Sequence, residues 1–148
     1  MTTLASLLSL QGRRALITGG AGHIALAAAE TLAELGASLV LVDRDAQRLE
    51  SARDSICANW PVTVTIAVCD LEDERAREIT ISEVISQHDD LDILVNNAGF
   101  VGTTDLAGWN EPFERQSLET WRRAMEVNLT EGFHLSQAFL PLLRANEC

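Results

Sequence analysis

Four short apolar runs recur along the chain, Ala15 to Thr18, Leu39 to Asp43, Val62 to Val68 and Leu91 to Asn96, each followed by a longer stretch of mixed polarity. This alternation constrains the fold more than any other feature. The runs have strand length and lack the polar alternation of a half-solvated strand, so they read as strands buried on both faces. Between them lie helical patterns at Ile24 to Leu35 and Ala46 to Ala58, and an acidic one at Glu72 to His88. Gly36 stands where a helix end uses a positive φ, and Asn59 before Trp60-Pro61 breaks the second helix. A β-α-β-α-β-α-β order implies parallel strands joined by right-handed crossovers. The expected class is therefore α/β, a doubly wound parallel sheet with helices on both faces.

After the fourth run comes a loop from about Ala98 to Gln116, carrying Trp109 and Phe113 and long for a connection. Ser117 to about Leu143 then reads as one long helix. In it Trp121, Met125, Leu129 and Phe133 recur at every fourth position as an apolar stripe, and Pro141 is expected to kink or end it. With no internal repeat and no linker, the 148 residues read as one domain, and 47% hydrophobic content suffices for its core. Acidic side chains outnumber basic ones by 22 to 11. The resulting net charge of −11 repels phosphate backbones and anionic lipid, so neither nucleic acid nor membrane is an expected partner. The apolar opening MTTLASLLSL precedes its charges, Arg13 and Arg14, which is the reverse of a signal peptide; it reads as a lead-in to the first strand. Cys57, Cys69 and Cys148 form neither a disulfide framework nor a metal-ligand spacing. A cytoplasmic location is expected.

Directly after the first strand stands Thr18-Gly19-Gly20-Ala21-Gly22-His23-Ile24-Ala25, containing Gly20-x-Gly22-x-x-Ala25, a form of the dinucleotide fingerprint. The first glycine permits a tight strand-to-helix turn, the second lets backbone approach a pyrophosphate, and the small third residue lets the helix pack on the strand. The helix N-terminus then offers unpaired N–H groups to the anion. Asp43 ends the second strand 21 positions beyond Gly22, where its carboxylate can accept hydrogen bonds from an adenosine ribose and would repel a 2′-phosphate. NAD is favoured over NADP, with Arg44 beside Asp43 tempering the preference.

With these residues in view, the sequence resembles the short-chain dehydrogenase/reductase family over essentially its whole length. Cys69-Asp70-Leu71 resembles the family's acidic-hydrophobic step at the adenine, and Asn96-Asn97-Ala98-Gly99 its NNAG motif. Asn128 matches the asparagine of the Asn-Ser-Tyr-Lys tetrad and is, on that resemblance, the one catalytic residue present. The cofactor-binding set it implies is Gly19, Gly20, Gly22, His23, Ile24, Asp43, Asp70, Leu71, Asn97, Ala98 and Gly99. The sequence also departs from the family's T-G-x-x-x-G-x-G. His23 and Ala25 occupy its later glycine positions, and Gly22 supplies a glycine one place early. His23 can reach a phosphate from the helix N-terminus or simply face solvent. His88 and His134 read as structural.

The resemblance implies hydride transfer between nicotinamide and an alcohol or carbonyl substrate, with a tyrosine moving the proton and a lysine assisting it. Neither type occurs here: there is no tyrosine, and all eleven basic residues are arginine. The expectation is a Rossmann-like domain with about four strands, ending before a fifth, that binds NAD but does not turn over. Its open fourth strand and apolar stripe imply a homo-oligomer. A non-catalytic dinucleotide-binding module and a pure interaction domain are the alternatives.

Overall fold

The computed structural model describes residues 3–100 and 107–145. Part of the expected long loop, residues 101–106, lies outside them, as do Cys148 and the two residues before it. Four strands, β1 (Arg14–Thr18), β2 (Ser38–Asp43), β3 (Val64–Val68) and β4 (Ile93–Val95), form one sheet in the order β3-β2-β1-β4, with every pair parallel. The arrangement is a Rossmann-like parallel sheet with flanking helices. Its order reverses between β1 and β4, the place where open α/β sheets open a crevice beyond their strand ends.

Successive side chains of a strand point to opposite faces, and the two cores divide on that rule. Ala15, Ile17, Leu39 and Leu41 join α2 (His23–Glu34) and α3 (Ala46–Asn59) on one face. Leu16, Val40 and Val42 join α4 (Glu74–Gln87) and α6 (Glu131–Arg144) on the other. On α2 the buried positions are Ala25, Ala29 and Ala33, four apart, so the helix can lie close against the sheet. Gly36 has φ +98, and its N–H donates to Ala33 O while that of Ala37 donates to Leu32 O, the Schellman closure its position suggested.

Burial on both faces holds for β1 and β2 only. β3 and β4 are the sheet's edges; Val68 is exposed and β4 is half-buried throughout. β4 is also shorter than its apolar run, because Leu91 and Asp92 serve as a brace: the Leu91 N–H donates to Leu142 O, the Asp92 N–H to Arg14 O, and Asp92 Oδ2 accepts the Arg14 N–H.

Three expectations change. The opening residues form a short exposed helix, α1 (Leu4–Leu8), closed by a capping box between Thr3 and Ser6, where an extended lead-in was expected. The long terminal helix is two helices, α5 (Leu118–Met125) and α6, joined by a π-helical turn at Glu126–Thr130. The apolar stripe is exposed on both sides of that turn, at Trp121, Leu129 and Phe133, while Ala124 before it and Leu135, Phe139 and Leu142 after it are buried. Pro141 does not end α6, which runs on to Arg144.

Candidate functional site

The C-terminal ends of β1, β2 and β4 bring the predicted residues to one edge of the sheet. Gly19 follows β1 at φ +63, and an added Cβ there would lie 3.0 Å from Ala98 Cα. One at Gly20 would lie 2.9 Å from Leu41 Cβ and close to the β2 backbone. The glycines therefore let the turn fit between β2 and the segment after β4. Within it the Gly20 N–H donates to Val42 O and the Gly22 N–H to Gly19 O. Asp43 accepts the Ala21 N–H at Oδ2, 3.0 Å, and the Asp45 N–H at Oδ1, 3.2 Å. Three consecutive turn donors are thus spent inside the protein.

That accounting says where an anion could be met. Gly22 is the N-cap of α2 without a side-chain cap, and the first intrahelical bond runs from Leu26 N–H to Gly22 O. The N–H groups of His23, Ile24 and Ala25 are therefore the helix's open donors. His23 and Ile24 are both exposed, and Ala25, fully buried, is the small residue that seats the helix. The shift of one glycine still leaves an open α2 N-terminus in the turn that follows β1.

Asp70 and Leu71 follow β3, where Asp70 Oδ1 accepts the Glu72 N–H and Asp73 caps α4. Helix α4 accordingly begins at Glu74, two residues later than its acidic pattern. The Arg123 guanidinium donates to both Glu72 oxygens, at 2.6 and 3.0 Å, and lies 5.7 Å from the Phe100 ring centroid. This pair holds the Glu72 carboxyl below its ordinary range and ties α5 to the β3–α4 turn.

Beyond β4 the turn Asn96 to Gly99 is fixed from below. Thr18 Oγ1 accepts the N–H groups of Asn97 and Ala98, each at 3.0 Å, and Asn97 Nδ2 donates to Thr18 O. Asn96 Nδ2 donates to Ser136 Oγ, and Asn128 Oδ1 accepts the Phe100 N–H at 2.6 Å. Asn128 lies within the π-helical turn, a local geometry frequent at functional sites, and its carbonyl is a brace for the post-β4 segment.

Four residues at this edge were not singled out from sequence. Arg48 Nη2 donates to Ala21 O at 2.5 Å, so a guanidinium stands on the glycine turn beside Asp43. Its offset of five from Asp43, in the first turn of α3, was the available signal. Thr18 had been read only as the start of a glycine motif. Arg77 is 1% exposed; it donates to Leu71 O, to Glu126 Oε1 at 2.6 Å and to His134 Nδ1 at 3.4 Å. His134 is thereby part of a polar cluster under the site. Glu131, also 1% exposed, completes it, with its carboxyl raised to about 6 by burial against the opposing pull of the Thr18 hydroxyl and Arg77.

A family model described as short chain dehydrogenase matches residues 13–147. A tropinone reductase homolog of Arabidopsis thaliana is 37% identical over 139 residues, 93% of this chain and 50% of that protein. Gluconate 5-dehydrogenase of Gluconobacter oxydans is 34% identical over 132 residues, 89% of this chain and 48% of that protein. Among solved structures, L-sorbose reductase from Gluconobacter frateurii, complexed with NADPH and L-sorbose, superposes with a TM-score of 0.83 at 32% identity, covering 93% of this chain and 50% of that one. The chain spans about half the length of the curated relatives it matches.

Proposed function

The chain belongs to the short chain dehydrogenase family, and from that premise we propose that it holds the adenosine and pyrophosphate end of NAD for hydride exchange with an alcohol or carbonyl substrate. The observation that carries this reading is the reversal of strand order between β1 and β4, where three segments meet at one edge of the sheet. Gly19 to Gly22 form one side, Asn97 to Gly99 the other, and Asp43 its β2 end. His23 and Ile24 offer backbone N–H groups to the pyrophosphate, since those of Gly20, Ala21 and Gly22 are already committed. Asp43 accepts from the ribose through lone pairs left after Ala21 and Asp45. Asp70 and Leu71 border the adenine. Ala98 and Gly99 present backbone toward the nicotinamide side, and Asn128 keeps that backbone in place.

The bound dinucleotide would supply the hydride acceptor or donor. A general acid of suitable pKa must supply the proton. With neither tyrosine nor lysine among its 148 residues, the chain alone is read as binding without turnover. Asp43 favours NAD, while Arg44 and Arg48 offer cations to a 2′-phosphate and keep the margin small; the L-sorbose reductase neighbour was solved with NADPH. Free Cys57 and Cys69 suit a reducing, cytoplasmic setting. Exposed Trp121, Leu129 and Phe133 suit a homo-oligomer.

Calorimetric titration with NAD and NADP tests the reading. NAD should bind more tightly, and Asp43→Ala should weaken it by about 1 to 3 kcal/mol, the scale of a hydrogen bond to a charged group. Equal or stronger NADP binding overturns the preference, and binding of neither overturns the reading itself. NADH absorbance with a panel of alcohols and aldehydes should show no turnover by the chain alone.

A further inference from the structure

Arg77 puts a buried charge on a helix face that otherwise serves the core. It stands four residues before Ile81, on the side of α4 that also buries Thr80 and Val84. A methionine there would fill similar space without the cost of stripping water from a cation. The guanidinium instead spends its donors on three separate segments. Nη1 donates to Leu71 O in the β3–α4 turn, Nη2 to Glu126 Oε1 at 2.6 Å, and Nε to His134 Nδ1 of α6 at 3.4 Å. Glu126 is the first residue of the π-helical turn, and its carbonyl accepts the Glu131 N–H that closes that turn. From the outside, Arg123 of α5 grips Glu72, the neighbour of Leu71, through both carboxylate oxygens. The turn after β3 and the segment carrying Asn128 are thus joined twice, once through the interior.

On the functional reading above, on which this inference rests, Leu71 borders the adenine and Asn128 braces the backbone on the nicotinamide side. We propose that Arg77 is a positioning residue that couples these two ends of the dinucleotide site. A planar guanidinium, with its donors set in a rigid fork, holds Leu71 O and Glu126 at one fixed separation. An adenosine-ended ligand that orders the Leu71 turn therefore orders the π turn as well. Asn128 Oδ1 passes this on to the Phe100 N–H, 2.6 Å away. The coupling is reciprocal, so a π turn held in place favours the adenosine end in return. The cap of α4 is not needed for it. The Arg77 N–H donates to the backbone oxygen of Asp73, and the guanidinium is anchored by residues outside the helix.

Adenosine diphosphate, which has the adenosine and pyrophosphate but no nicotinamide, is the probe. Amide exchange with solvent is followed by NMR at Phe100 and Glu131, with Ala37, bonded to Leu32 O in the α2 closure, as the reference. In the unsubstituted chain the probe should slow exchange at Phe100 and Glu131 about fivefold more than at Ala37. Glu126→Gln keeps an acceptor oxygen for Nη2 and should keep that response. Adding Arg77→Met to Glu126→Gln removes the guanidinium and leaves no carboxylate unpaired. This double variant should still bind the probe through the glycine turn and Asp43, show a urea midpoint no lower than that of Glu126→Gln, and lose the response. Should it not fold, Arg77→Lys decides, because one nitrogen replaces the fork and the response should drop below about twofold. A response that survives loss of the fork overturns the coupling, as does an unsubstituted chain in which Phe100 and Glu131 respond no more than Ala37. Failure of the probe to bind the unsubstituted chain overturns the functional reading. The link is then decided without ligand, where loss of the guanidinium should speed exchange at Phe100 and Glu131 but not at Ala37, and equal rates in both chains overturn it.

Discussion

The two faces of the sheet are built from different chemistry. Beneath α2 and α3 the buried surface is aliphatic throughout, from Ala25, Ala29 and Ala33 to Leu49, Ala52 and Ile56. Beneath α4 and α6 an aliphatic core with Phe139 is interrupted by Arg77, Thr80 and Glu131, all buried. A closed apolar face needs only correct periodicity, and many sequences satisfy it. A polar interior needs partners for its donors and acceptors, and these come from distant parts of the chain: Arg77 reaches Glu126 and Leu71. The first face supports the turn that would meet the pyrophosphate. The second fixes the turn after β4 and the π segment bearing Asn128.

The largest effect that would break this contrast lies within α6. Phe139 is buried in the second core and Phe133, six residues before it, is 68% exposed. Phe139→Ala should cost about 3 to 5 kcal/mol by urea unfolding, the usual range for emptying a packed aromatic site. Phe133→Ala should stay within about 0.5 kcal/mol and weaken self-association measured by sedimentation. Equal costs would mean that the face of α6 turned to the core is wrongly assigned.

A smaller effect sharpens the polar side. Burial raises the Glu131 carboxyl from 4.5 to about 6, so the folded chain holds that proton more tightly than the unfolded chain does. Its stabilising contribution is fully present below about pH 4.5 and is lost as pH rises through about 6, a change of about 2 kcal/mol. Across that window the unsubstituted chain should lose about this much stability relative to Glu131→Gln in paired unfolding curves. A constant difference between the two curves would show that Glu131 does not titrate in the folded chain.

This division also decides how much the sequence could tell. The alternation of strands and helices, the turn at Gly19 to Gly22, the strand end at Asp43 and the Gly36 closure were legible because each rests on local chemistry: apolar period, absence of a Cβ, one carboxylate at a strand end. The π turn was not. Glu126-Val127-Asn128-Leu129-Thr130 contains neither glycine nor proline, and the four-residue spacing from Trp121 to Phe133 fits an unbroken helix equally well. Glu131 was hidden for a related reason, since an acidic residue in a helix resembles any solvated one until its register is known. Its spacing of three from Asn128 was the only hint that it belonged to the site. Thr18 and Arg48 act through backbone groups, which leave no trace in residue type.

The smallest effect compares one helix start from each face. Asp45 caps α3 by accepting the Arg48 N–H, and Asp73 caps α4 by accepting those of Arg75 and Ala76. Replacing either by Ala should cost about 1 kcal/mol of stability, more at Asp73, which satisfies two donors. Their effects on binding should separate. The first turn of α3 carries Arg48, whose guanidinium holds Ala21 O, and Ala21 in turn donates to Asp43. Fraying that turn loosens the glycine loop at the ribose end, although the Asp45 N–H itself survives the substitution and still reaches Asp43. The first turn of α4 makes no such link to the loop; its Arg77 is directed at Leu71 and the π segment. NAD affinity measured by calorimetry should therefore fall about two- to threefold in Asp45→Ala, a few tenths of a kcal/mol, and stay level in Asp73→Ala. Equal losses would mean that the loop draws on the whole edge of the sheet, and the division between the faces would then not extend to binding.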